Sequence, residues 1–107
     1  MKKLILCVIF VLAAVYVNAQ EVTVFQINAK WNQNNNYDTR GLKNCIIKFG
    51  YLKNQPDDIK KSITALPVLV IKDKKGRTRM QYIGDISLQI KVSKEEIQAT
   101  IDKVNQL

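Results

Sequence analysis

Two thiols, Cys7 and Cys45, are the only cysteines in the chain, and no histidine is present. The absence of histidine removes the side chain that most often acts as general base, activates a serine or holds a metal. Ser62, Ser87 and Ser93 therefore have no imidazole to activate them. Asp57 and Asp58 stand together directly after Pro56. Acids there complement the positive end of a helix better than they form a carboxylate pair for acid–base work. The remaining chemical signal is positive charge, with Lys72, Lys74, Lys75, Arg77 and Arg79 grouped around one turn. A solvated hairpin turn accounts for such a group. An anionic partner, such as lipid headgroups or acidic glycans, is the functional alternative. Nucleic acid is disfavoured, because no aromatic-studded basic groove accompanies the charges. The residue types call for no metal and no cofactor.

These residues lie in a chain of 107, of which 47% are apolar and 24% charged, with a formal charge of +8. That length sets one domain, and the apolar share is too high for a disordered chain. Lys2 and Lys3 precede an apolar run from Leu4 to Val17, and Val17 and Ala19 fit the small-residue rule for cleavage after Ala19. Residues 1–19 read as a secretory signal peptide, and residues 20–107 as one exported domain, periplasmic or secreted. The run is short for a spanning helix, which needs about 20 apolar residues. The alternative is an uncleaved membrane anchor through residues 4–17. Cleavage removes Cys7 and lowers the charge to +6, leaving Cys45 as the single thiol. Such a protein closes no internal disulfide and stands on its core packing alone.

The elements that must position these residues follow from patterning. Val22–Ile27 is β-branched and aromatic and reads as a strand, followed by the asparagine-rich stretch 32–38, a loop or frayed helix start. Cys45–Leu52 is a second strand, and Pro56 opens a short helix to about Thr64. Leu66–Ile71, nearly all apolar, predicts a central strand covered on both faces. Asp73–Gly76 makes a turn, and residues 77–83 return as a hairpin arm with Thr78, Met80 and Tyr82 inward. Ile86, Leu88, Ile90 and Val92 alternate with polar residues, as an extra edge strand or a loop packed by its apolar side. Ser93-x-x-Glu96 is a capping box, with Ile97, Ile101 and Val104 at helical spacing behind it. The order gives an α/β sandwich around a mixed sheet of about four strands flanked by helices.

Ala29-Lys30-Trp31-Asn32-Gln33-Asn34-Asn35, directly after a strand, resembles the Ala-x-Trp-Cys-Gly-Pro-Cys stretch of the thioredoxin-like family. Asn32 and Asn35 stand where both redox cysteines would be. Ala65-Leu66-Pro67-Val68 through Gly76 resembles that family's cis-proline segment, strand and turn, and Tyr82-Ile83-Gly84-Asp85 its second substrate loop. The resemblance covers about Val22 to Val104. It implies a thioredoxin-like sandwich with a shortened first helix, because only about a dozen residues separate Trp31 from the second strand. It also implies a face of Trp31, Asn32, Asn35, Leu66, Pro67 and Gly84, at which the main chain of Leu66 meets an extended polypeptide.

Dithiol–disulfide exchange needs a low-pKa thiolate and a resolving cysteine, and one mature cysteine supplies no such couple. The expected function is thus that of a redox-inactive, non-catalytic binding or structural module with a protein or peptide partner. Two alternatives stand beside it. One is a membrane-anchored small component of a larger assembly. The other is a single-cysteine enzyme using Cys45, although a cysteine opening an apolar strand usually behaves as a small buried hydrophobe.

Overall fold

The computed structural model describes residues 21–107. The export segment, residues 1–19, and its alternative as an anchor lie outside the described residues. Among the described residues, no helix is long and apolar enough to cross a membrane.

Four strands form one sheet: β1 (Thr23–Asn28), β2 (Ile46–Tyr51), β3 (Val68–Lys72) and β4 (Thr78–Ile83), in the spatial order β2-β1-β3-β4. β1 pairs parallel with β2 and antiparallel with β3, and β3 pairs antiparallel with β4. The sheet is therefore mixed, with the apolar β3 inside, as the patterning required. Helix α1 (Asp57–Ser62) follows Pro56, and α2 (Lys94–Asn105) follows Ser93, whose hydroxyl accepts from the Glu96 amide at 3.2 Å. That bond satisfies one of the donors a helix start leaves open.

Strand pleating divides the side chains between two faces. Val24, Leu69, Ile71 and Tyr82 lie on one, and Ile97, Ile101 and Val104 of α2 pack over them with Val22 and Ile90. Burying each of the three α2 side chains contributes roughly 2 kcal/mol. We call this the closed face. The other carries Phe25, Ile27, Val68, Val70 and Ile83, with only the short α1 above it, through Ile59 and Ile63. This is the open face.

The parallel pair β1–β2 needs a crossover, usually an α-helix. Here residues 29–45 make it with a six-residue 3-10 helix, Lys30–Asn35, and then irregular chain. Tyr37, Leu42 and Cys45 pack from it onto the closed-face core. Polar clamps tie it down: Gln98 exchanges two bonds with the main chain of Lys43 (2.8 and 3.0 Å), and Asn105 donates to the Asn44 carbonyl (2.9 Å). Side-chain amides on α2 thus anchor a crossover that has no α-helix of its own to pack.

The structure settles one alternative and corrects three expectations. No strand forms over residues 86–92. Ile86 is fully exposed, Leu88 takes a left-handed φ of 63°, and only Ile90 is buried, which is the packed-loop alternative. In β4 only Tyr82 is buried, while Met80 is 42% exposed and Thr78 also faces solvent. The register explains Thr78: Met80 still faces Ile71, but Thr78 faces Lys72, so Arg79 is an extra residue in a bulge. Beyond that bulge the alternation reverses, moving Thr78 to the open face. The helix after Pro56 ends at Ser62 rather than Thr64, and Val70 is only half-buried, so β3 is covered fully on one face.

Candidate functional site

β1 ends at Asn28, β2 ends at Tyr51, β3 begins at Val68 and β4 ends at Ile83, all at one end of the sheet by register. The loops leaving these points carry Trp31, Leu66, Pro67 and Gly84. Topology therefore carries four of the six residues picked from sequence to the same end of the sheet, although they span more than fifty positions.

Their accessibility differs. Trp31 is 73% exposed and lies in a shallow apolar groove with Ala29, Tyr51 and Leu52, bordered by Lys30, Lys53 and Lys60. The Leu66–Pro67 peptide is cis. The side chains of Leu66 and Pro67 are buried, so this segment offers its main chain rather than its side chains. Among the described residues, neither the amide nor the carbonyl of Leu66 has a hydrogen-bond partner, whereas the Pro67 carbonyl accepts from the Gly84 amide at 2.8 Å. Gly84 is required here by space: a Cβ on it would sit 1.9 Å from the Leu66 carbonyl oxygen. Any other residue would push the two loops apart.

Asn32 lies beneath this surface, not on it. It is buried, and its amide donates to Asn28 Oδ1 (3.0 Å) and the Leu88 carbonyl (3.2 Å) and accepts from Asn35 Nδ2 (2.7 Å). Asn28, fully buried, donates to the Asn32 carbonyl (2.9 Å) and Asn36 Oδ1 (2.6 Å), and its Oδ1 accepts from the Ala29 amide (2.9 Å). Asn35 is half-buried and its Oδ1 accepts from Gln89 (3.0 Å). A carboxamide has two donors and two acceptor positions, and Asn28 uses all four. Asn32 and Asn35 therefore serve as internal struts that fix the Trp31 loop against the 85–92 loop.

Sequence reading passed over Asn28 and Gln26. Gln26 clamps the Tyr37 main chain, donating to its carbonyl (3.1 Å) and accepting from its amide (2.7 Å). The available signal was two carboxamides on the inward phase of a strand otherwise β-branched and aromatic, because buried polar groups must find partners. Burial, and then the charge of Glu95, push the Tyr37 hydroxyl up, keeping it a donor to the Val92 carbonyl at 2.6 Å.

The basic cluster divides. Arg77 and Arg79 both reach the buried Asp73 carboxylate (3.0 and 2.9 Å), which also accepts from the amides of Lys75 and Arg77. Burial alone would raise the Asp73 carboxyl, but these four donors together hold it well below the usual carboxylate range. Two of the five cations thus staple the turn, while Lys72, Lys74 and Lys75 have no acidic partner among the described residues.

Cys45 is half-buried against the core, and burial followed by the charge of Glu21 pushes its thiol up. A raised pKa lowers the thiolate fraction that reacts. Among the described residues, no group of three acidic or cysteine side chains is placed to hold a metal ion.

No protein-family model and no curated protein matches this chain. The site's own geometry therefore carries the functional reading.

Proposed function

We propose that this chain is an exported, non-catalytic, thioredoxin-like module that binds an extended polypeptide at the end of the sheet that carries Trp31, Leu66, Pro67 and Gly84. The observation that carries the reading is the pair of unpartnered main-chain groups on Leu66, held beside Gly84 at the same end of the sheet as the exposed indole. An incoming strand satisfies such groups, and an adjacent aromatic surface takes one of its side chains. The strand order and the parallel β1–β2 pair support the thioredoxin-like assignment. The carboxamides at positions 32 and 35 supply neither a nucleophile nor a redox couple, so recognition is separated from sulfur exchange. Asn32 and Asn35 then act as positioning residues for the Trp31 loop.

The test is a scan of unstructured peptides by fluorescence anisotropy, together with an insulin-reduction assay in dithiothreitol. The expected result is saturable peptide binding that falls at least tenfold in Trp31→Ala, with no thiol-dependent turnover. Turnover by the purified protein, or peptide binding indifferent to Trp31, rejects the reading.

A further inference from the structure

The open face holds a groove that the proposed peptide site does not use. It has a volume of about 190 Å³ and runs between α1 and β4 over a floor of Phe25, Ile27, Val68 and Val70. The six-residue α1 is too short to cover the sheet, and the bulge at Arg79 turns Thr78 toward it. No acidic side chain lines this groove, and its one cation, Lys72, has no acidic partner among the described residues. Past Phe25 and Lys72 the groove meets a second cleft bearing Lys48 and Lys74 beside two acids, Glu21 and Asp73, of which Asp73 is already paired with Arg77 and Arg79. An apolar trough thus opens at one end onto excess positive charge.

We infer that this groove binds the acyl chain of a fatty acid, with the carboxylate at Lys72. The volume lies below the several hundred Å³ typical of drug-sized ligands, which fits one linear chain better than a ring system or a docked helix. An aliphatic tail replaces water over the β-branched floor, and the charge at the mouth selects an anionic head over a neutral one. This site lies on a different face from the peptide site, so either can fail without the other.

Isothermal titration of the protein, purified as its host produces it, with hexanoate, octanoate, decanoate and decanol tests the proposal. Affinity is expected to rise about fourfold per methylene until the groove is full. Lys72→Met is expected to weaken decanoate about fivefold and leave decanol unchanged. Gln81→Trp, at the exposed rim, is expected to abolish both, and Ser62→Trp on the opposite rim replaces it if that variant does not fold. Absence of saturable binding, an affinity independent of chain length, or equal decanoate binding by Lys72→Met overturns the proposal. So does sedimentation showing a dimer that Gln81→Trp dissociates, because a second copy of the chain would then cover the groove.

Discussion

The closed and open faces of this sheet are built from similar strand residues and end in different states. Under α2, Val24, Leu69, Ile71, Ile97 and Ile101 are fully buried. Across the same strands, Ile27 and Val68 are buried but Phe25 and Val70 remain half-exposed and Ile83 is 52% exposed. What differs is the cover. The closed face has a twelve-residue helix and the docked crossover, and the open face has a helix of six residues. Polar residues obey the same division: Gln26, Asn28 and Asn32 on the closed side are buried and bonded, while Gln81 and Thr78 on the open side face water. Hydropathy of a strand decides that it is buried somewhere, whereas the length of what lies above it decides how completely.

The largest expected effect contrasts neighbours on β3. Leu69→Ala removes a side chain with no room to relax and is expected to cost about 3 kcal/mol, whereas Val70→Ala on the open face costs about 1 kcal/mol. Urea unfolding of both variants checks this, and equal losses would erase the distinction between the faces. Next comes the buried carboxamide. Asn28→Ala strands the Ala29 amide and one Asn32 donor, at about 2 kcal/mol, while Gln81→Ala leaves stability within about 0.5 kcal/mol. Faster hydrogen exchange at the Ala29 amide in the first variant would identify the cause.

Acid sharpens the comparison at the turns. The Ser87 hydroxyl, outweighing a modest burial effect, and then Lys91 lower Asp85 from its ordinary 3.8 to about 2, and Asp73 is held lower still. A depressed carboxyl contributes stability that is complete above its unfolded value and lost as pH falls through the folded one. Stability is therefore expected to be flat above about pH 5 and to decline from about pH 4 downward. Asp73→Asn should flatten that decline in urea titrations at successive pH values. The smallest effect on stability belongs to Trp31→Ala, within about 0.5 kcal/mol by thermal unfolding, because the indole is mostly in water. A large loss there would assign Trp31 to the core instead of to a partner.

Much of this was readable from residue order. The Ser93 cap and the Ile97, Ile101 and Val104 stripe fix α2 locally, because capping and helical spacing act within a few residues. The Asp73–Gly76 turn is equally local: Gly76 takes the left-handed φ of 82° the turn requires. The site was only partly legible. Trp31, Leu66, Pro67 and Gly84 could be picked by their neighbours, but Asn32 looked like a surface residue until the 85–92 loop supplied its Leu88 partner, 56 positions away. The Ile86–Val92 alternation fitted a strand or a loop packed by its apolar side, and the loop formed, because period alone does not create a pairing partner.

Composition and spacing by themselves determined an α/β order, the absence of any imidazole, and two cysteines of which only Cys45 lies among residues 21–107; these are properties of the covalent chain. Only the tertiary structure decided which face was sealed, which cations were spent on Asp73, and which asparagines turned inward. Those outcomes depend on whether a distant group arrives within hydrogen-bonding or van der Waals range, and proximity between remote segments is a property of the folded sheet alone.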